Sequence, residues 1–90
     1  MNTYLISFQI KSNDAYGVIA DKLRSFPKWA RTMDNVWVVK SEMTAANIRD
    51  MLSALVKEVG GSVLVINISE EEWASYALSQ EVADWMKQNV

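Results

Sequence analysis

The sequence predicts one α+β domain over residues 1–90, in which an antiparallel sheet is combined with two helices and a C-terminal helical tail. The chain of 90 residues is too short for two hydrophobic cores. Half of the residues are hydrophobic and 22% are charged, which is typical of a globular domain and not of a disordered chain. Hydrophobic residues alternate with a period of two in some segments and recur every three or four positions in others.

The chain begins with a predicted strand and a predicted helix. Over residues 3–10 apolar side chains occupy every second position, so one face of the strand is apolar, namely Tyr4, Ile6, Phe8 and Ile10. The next apolar residues are spaced as on one stripe of a helix, namely Tyr16, Ile19, Ala20 and Leu23. A polar residue among positions 12–14 can cap this helix, and Pro27 ends it because proline has no backbone N–H to donate.

A hairpin and a second helix follow. Lys28–Thr32 and Val36–Lys40 are short segments rich in tryptophan and valine, and the intervening Asp34-Asn35 pair tolerates the backbone dihedrals of a tight turn. Thr44 can cap a second helix, whose apolar stripe consists of Ile48, Met51, Leu52, Leu55 and Val59. Gly60-Gly61 ends this helix, since glycine readily adopts the left-handed conformation.

A last strand and a tail complete the pattern. Ser62–Ile68 is apolar on both faces at its start, so we expect a well-covered strand. Ser69 and Glu72 have the spacing of a capping box, and Glu70–Glu72 would then lie in the first turn of a helix, where negative charge is favourable. A metal site at these three carboxylates is the alternative. A further helix within the tail is indicated by Ser79, Val82, Trp85 and Met86.

The order strand, helix, hairpin, helix, strand is that of a ferredoxin-like βαββαβ unit, in which two right-handed crossovers feed one antiparallel sheet. Both helices then cover the apolar face of the first strand. The opposite face would carry apolar side chains from three strands, namely Leu5, Val36 or Trp37, and Val63 or Leu64. We expect the tail to fold back onto that face with Trp73, Trp85 and Met86, and a second subunit to cover the rest in a symmetric homodimer.

The composition excludes several kinds of chemistry. The chain has no cysteine and no histidine, which excludes disulfides, zinc sites of the Cys/His type, cysteine nucleophiles and imidazole acid–base catalysis. No serine has a lysine at a telling spacing, and the only glycine pair follows a helix instead of opening one as a phosphate-binding loop does. We therefore expect no cofactor. We also expect a cytoplasmic protein, because no apolar run is long enough to span a membrane and no secretion signal opens the chain.

The net charge of −2 is unevenly distributed along the chain. Residues 22–40 contain five basic residues and one acid, whereas residues 41–90 contain three basic residues and eight acids. The five basic residues are Lys22, Arg24, Lys28, Arg31 and Lys40. Trp29 and Trp37 lie among them, and such a mixture of cations and aromatic rings is typical of surfaces that bind single-stranded nucleic acid. The alternatives are a solvated surface for the cations and core positions for the two tryptophans.

Three parts of the sequence resemble a group of small bacterial proteins. They are Tyr4-Leu-Ile-Ser7, Trp37-Val-Val-Lys40 after Asp34, and a tail pattern of Trp73-Ala-Ser75, Leu78-Ser79, Glu81-Val82 and Asp84-Trp85. On these residues the chain resembles the CRISPR-associated Cas-two family and the VapD-like toxins over almost its whole length. The resemblance implies a ferredoxin-like fold and a homodimer across the open sheet faces. It also implies either metal-dependent nuclease activity or a structural role on duplex DNA.

The sequence departs from this family at one position that matters for catalysis. Family nucleases end the first strand with an aspartate after an aromatic residue, and the two aspartates of a dimer hold a metal ion. The matching residue here is Gln9, after Phe8. An amide is a poor ligand for a hard cation such as magnesium, which prefers carboxylate oxygen. We therefore predict no catalytic residue and no metal site.

The predicted function is that of a homodimeric interaction module that binds RNA, DNA or a protein partner and has no nuclease activity. A magnesium-dependent endoribonuclease of toxin or defence type is the alternative that the resemblance leaves open. A regulatory ligand-binding module is a third possibility, which rests on fold analogy alone because the sequence shows no convincing polar pocket.

Overall fold

The computed structural model describes all residues from Met1 to Val90 and has an α+β fold of four strands and three helices. The elements in chain order are β1 (Asn2–Gln9), α1 (Tyr16–Arg24), β2 (Lys28–Met33), β3 (Val36–Ser41), α2 (Ala45–Val56), β4 (Ser62–Asn67) and α3 (Gln80–Asn89). Short 3-10 turns at Asn13–Ala15 and Lys57–Val59 adjoin α1 and α2. None of the helices has the length and hydrophobicity that a membrane crossing requires.

The four strands form one sheet in the order β2-β3-β1-β4, and every neighbouring pair is antiparallel. The strands β1 and β3 are central, while β2 and β4 are the edges. Register pairs Ile6 of β1 with Trp37 of β3 on one side and with Val65 of β4 on the other. Because side chains alternate between the two faces of a sheet, this register fixes which residues share a face.

The first face of the sheet is buried under α1 and α2 and contains the hydrophobic core. The core cluster comprises Tyr4, Ile6, Phe8, Ile19, Ala20, Leu23, Phe26, Trp37, Val39, Ile48, Leu52 and Val56. The predicted apolar face of β1 is confirmed at its first three positions, whereas Ile10 lies beyond the strand and is half-buried. The predicted helical stripes are confirmed except at Val59, which lies in the 3-10 turn after α2: the central members are in this cluster, and Tyr16, Met51 and Leu55 pack against it.

Local hydrogen bonds explain where the helices begin and end. The Ser12 hydroxyl accepts from the backbone N–H of Asp14 and caps the 3-10 turn before α1. The Thr44 hydroxyl accepts from the N–H of Asn47 and caps α2, as predicted. Gly60 follows the second helix with φ of 71°, the left-handed conformation that the glycine pair predicted.

The predicted capping box in the tail is wrong. Residues 69–79 contain no helix, so the predicted interaction of Glu70–Glu72 with a helix dipole is wrong too. The Ser69 hydroxyl instead accepts from the backbone N–H of Thr3 and donates to Asn67 Oδ1, which fastens the end of β4 to β1. The helix of the tail begins later, where the Ser79 hydroxyl accepts from the N–H of Val82. The Ser69 side chain therefore stabilises the end of β4 and does not cap a helix.

The helix α3 packs against the second face of the sheet, over β2 and β3. Met86 of α3 is buried, as are Ala30 of β2 and Val38 of β3 on that face. The sequence predicts either Val36 or Trp37 on the second face. Register places Trp37 on the first face with Ile6, so Val36 is the one on the second face. Likewise, Leu64 and not Val63 lies there.

The prediction that β4 is well covered is wrong. Leu64 is 57% exposed and Ile66 is 45% exposed. The reason is topological: β4 is an edge strand, and α3 covers the opposite half of the second face. The apolar run of β4 predicts burial on both faces of the sheet, but only the first-face residues Val63 and Val65 pack against the core.

Candidate functional site

A strip of β1 and β4 that α3 does not cover lies on the second face, and Leu5 at one end of it also lines the space beneath the residues that connect β4 to α3. We call this surface the sheet strip and define it as Leu5, Ser7, Gln9, Ser62, Leu64 and Ile66. Register pairs these residues directly, Leu5 with Ile66, Ser7 with Leu64 and Gln9 with Ser62. The strip is therefore apolar at one end and polar at the other, and its outer border is the unpaired edge of β4.

Gln9 lies at the polar end of the sheet strip and is exposed. It is the last residue of β1, and a shallow depression there is lined by Ser7, Gln9 and Ser62 together with Leu64. No group of three or more carboxylate, histidine or cysteine side chains in the chain is arranged to hold a metal ion.

The five predicted nucleic-acid-binding residues do not share one surface. Because side chains alternate along β2, Trp29 and Arg31 both lie on the first face of the sheet. Lys28 lies on the second face, as does its register partner Lys40 of β3. Arg24 reaches the first-face group from the end of α1, and Lys22 is exposed on the same helix. The structure thus brings together Arg24, Trp29 and Arg31, which we call the β2 edge cluster.

Aromatic rings hold the arginines of the β2 edge cluster in place. The guanidinium of Arg24 lies 5.5 Å from the ring centroid of Trp37 and that of Arg31 lies 5.9 Å from the ring centroid of Tyr16. The ring centroids of Trp29 and Trp37 are 5.5 Å apart. Trp37 is fully buried, as the core alternative predicted, whereas Trp29 is 38% exposed. Trp29 is thus the member of the pair that is accessible to solvent.

Each arginine of the cluster also has an acidic partner. Arg31 donates to Asp34 Oδ1 over 2.6 Å, and this hydrogen bond raises the pKa of the Arg31 guanidinium above its usual value. Arg24 donates to Asp21 Oδ1 over 3.2 Å. These pairs are on the surface, where water screens them, so phosphate oxygens can replace the carboxylates at small cost.

Lys40 has a structural partner instead. Its Nζ donates to the backbone carbonyl of Asn89 over 3.0 Å and to Thr3 Oγ1 over 3.2 Å, and the Thr3 hydroxyl donates to the same carbonyl over 2.6 Å. A cation at the last carbonyl of α3 is favourable because the helix end carries a partial negative charge. We call this arrangement of Thr3, Lys40 and Asn89 the tail clamp.

A cavity of about 520 Å³ lies between the second face of the sheet and the residues that connect β4 to α3. Its floor includes Leu5 and Val38, and Trp73, Leu78 and Met86 line its sides. Sequence reasoning missed this cavity because it assigned a helix to the residues that line it. Trp73 itself lies on the face of the sheet where the predicted return of the tail places it.

Comparisons with known protein families, with curated proteins and with solved structures gave no significant match to this chain.

Proposed function

We propose that the chain is a homodimeric, ferredoxin-like interaction module, related to the CRISPR-associated Cas-two and VapD-like proteins, that binds nucleic acid and lacks nuclease activity. The observation that carries the proposal is the sheet strip, where Leu64 and Ile66 are 57% and 45% exposed beside Leu5. Apolar side chains grouped on an open sheet face typically mark an interaction surface.

The topology supports the ferredoxin-like assignment. The sheet order β2-β3-β1-β4 is wholly antiparallel, and α1 and α2 follow β1 and β3 and pack on one face. This is the arrangement that two right-handed crossovers around a central pair of strands produce. In such a fold the second face is available for a partner, and here α3 covers one part of it and leaves the sheet strip.

The composition of the sheet strip supports a second copy as the partner. A symmetric dimer brings the same surface from both subunits together, so a strip that is apolar at one end and uncharged at the other is self-complementary. None of its six residues carries a charge, and pairing like surfaces therefore brings no like charges into contact. The unpaired edge of β4 lies along the same border.

Light scattering on purified protein tests the dimer. We expect the natural chain to have twice the chain mass of 10.2 kDa, and Leu64→Arg to be a monomer because a buried, unpaired guanidinium is costly. Val18→Arg is the matched control: Val18 is 55% exposed on α1, outside the strip, and its replacement should leave the dimer intact. A monomeric natural chain, or a dimer that survives Leu64→Arg, would contradict the proposal.

The β2 edge cluster supports nucleic-acid binding. It offers two guanidinium groups beside the exposed part of the Trp29 ring, which is the combination of phosphate contact and base stacking that single strands use. Lys22 and Lys28 are exposed nearby in sequence and remain candidates, whereas Lys40 is engaged in the tail clamp. The cluster lies away from the sheet strip, so a dimer would present two copies of it.

Salt-dependent binding of a labelled single-stranded oligonucleotide tests this part. Arg24→Gln with Arg31→Gln should weaken binding and reduce the slope of log K against log salt concentration by about 1.4, since each phosphate contact contributes about 0.7. Trp29→Ala should weaken binding about tenfold with the salt slope unchanged. Arg49→Gln with Lys57→Gln removes two exposed cations elsewhere and should have little effect. Equal losses in both double variants would remove the cluster from consideration.

A cleavage assay with magnesium or manganese separates the proposed function from the endoribonuclease alternative. We expect no cleavage of RNA or DNA by the natural chain, because Gln9 offers an amide where the resembling nucleases have a carboxylate. Gln9→Asp places a carboxylate at the end of the sheet strip, and any activity it gains should disappear when Leu64→Arg is added. Metal-dependent cleavage by the natural chain would favour the endoribonuclease.

A further inference from the structure

The cavity on the second face has the dimensions and lining of a small-molecule site. Its volume of about 520 Å³ lies within the range of about 300–1,000 Å³ that ligand sites occupy. Eleven of its fifteen lining residues are hydrophobic. The sheet contributes Leu5, Val36 and Val38, and the connecting segment contributes an indole, that of Trp73. An apolar or aromatic body is therefore the part of a ligand that this cavity accepts.

The charged groups at the cavity specify the sign of the ligand. Of the fifteen lining residues only Glu71 and Glu72 carry a charge, and both are exposed to solvent. No basic side chain lines the cavity. A cationic group on the ligand would therefore meet two carboxylates and no competing cation, whereas an anionic group would be repelled.

The backbone around the cavity has features of a binding segment. Glu70 has φ of 60° and Ala77 has φ of 62°, and both are residues that pay a steric penalty in the left-handed region. Between them, residues 72–78 take part in no backbone–backbone hydrogen bond. Their position thus depends on the packing of side chains such as Trp73 and Leu78, which line the cavity.

We propose that this cavity binds a small amphipathic amine, with its aromatic or aliphatic body between Trp73 and the sheet and its ammonium group near Glu71 and Glu72. The site is separate from the β2 edge cluster, which lies on the side of the first face. It is lined by residues of one subunit, and Leu5 is the one residue that it shares with the sheet strip. Binding of such an amine is a property additional to the proposed interaction function.

Two-dimensional NMR titration of the whole chain tests the proposal with 1-naphthylmethylamine as the probe and 1-naphthylacetate as its anionic counterpart. The indole N–H signal of Trp73 should shift and saturate with the amine, while that of Trp29 should not move. The amine should bind about fivefold more tightly than the acetate at low ionic strength, since surface carboxylates provide modest attraction that salt screens.

Glu71→Gln with Glu72→Gln should weaken amine binding about fivefold and remove the preference over the acetate. Both side chains are exposed, so the variant should keep the fold. Glu42→Gln with Glu58→Gln removes two exposed carboxylates elsewhere and should leave the affinity unchanged. The proposal is overturned by a Trp73 signal that does not saturate, by equal affinity of the natural chain for both probes, or by equal losses in the two double variants.

Discussion

The two faces of the sheet are covered in different ways. On the first face, α1 and α2 bury a cluster of twelve residues that draws on β1, β3 and both helices. On the second face, α3 and its connecting segment cover β2, β3 and the start of β1, where Thr3 is buried, and leave Leu64 and Ile66 of β4 exposed. The comparison indicates that the first face supplies most of the buried apolar contact that stabilises the fold, while the second face keeps apolar side chains exposed.

The interactions that dock the helices on each face of the sheet also differ. The first face relies on apolar contact between helical stripes and alternating strand residues, which is non-directional and extensive. The second face buries few side chains, with Ala30, Val38 and Met86 as its apolar members. It depends in addition on the tail clamp, whose hydrogen bonds are directional and few. A cover held in this way can be loosened by removing one hydroxyl group.

The largest expected effect comes from a pair of identical substitutions on opposite faces. Ile6→Ala should lower the free energy of unfolding by about 2–5 kcal/mol, because Ile6 is fully buried and its removal leaves a cavity. Ile66→Ala should change it by no more than about 0.5 kcal/mol in dilute solution, because that side chain is 45% exposed. Urea unfolding monitored by tryptophan fluorescence gives both values.

In the proposed dimer, the stability loss caused by Ile66→Ala should depend on protein concentration. If Ile66 is buried between two copies, the loss caused by Ile66→Ala should grow as the protein concentration rises, since association stabilises the folded state. The loss for Ile6→Ala should then exceed it at every concentration. Similar losses for both variants in dilute solution would mean that the two faces do not differ as described.

A smaller effect is expected at the tail clamp. Thr3→Val keeps the shape of the side chain but removes the hydroxyl that donates to the Asn89 carbonyl; because Lys40 still donates to that carbonyl, the docking of α3 should be destabilised by about 0.5–1.5 kcal/mol. Amide hydrogen exchange should speed up over residues 80–89 and remain slow in β1 and β3. Thr44→Val removes a helix cap of similar size and should instead affect α2. Unchanged protection of α3 in Thr3→Val would show that the clamp contributes little.

The first face could be predicted from sequence because its rules are local. The period-two pattern in β1, the stripes of α1 and α2, the Thr44 cap and the turn at Asp34-Asn35 each depend on residues close in the chain. The apolar helix and strand faces then have one way to be buried together. The sequence does not give the register of the hairpin, so it does not decide which of Val36 and Trp37 faces the core.

The return of the tail to the second face is predicted and Met86 is buried there, but the contacts that hold the tail could not be predicted because they are distant in sequence. Ser69 has the spacing of a helix cap, yet its hydroxyl accepts from Thr3, 66 residues away. Lys40 belongs to a basic run, yet it binds the end of α3, 49 residues further along the chain. The cavity depends on a connection with no periodicity at all. Local patterns carry no information about partners at such separations.

The smallest expected effect distinguishes the connecting segment from the helices. Ala77 is exposed with φ of 62°, a conformation that costs alanine about 1–2 kcal/mol and glycine very little. Ala77→Gly should therefore raise the free energy of unfolding by about 0.5–1 kcal/mol, because the relief of strain exceeds the added entropy of the unfolded chain.

The same substitution within a helix should have the opposite sign. Ala54 is exposed in α2, and Ala54→Gly should lower the free energy of unfolding by about 0.5–1 kcal/mol, as glycine does in helices generally. Thermal unfolding of the two variants beside the natural chain gives the comparison. If Ala77→Gly also loses stability, the left-handed conformation of Ala77 does not strain the connecting segment.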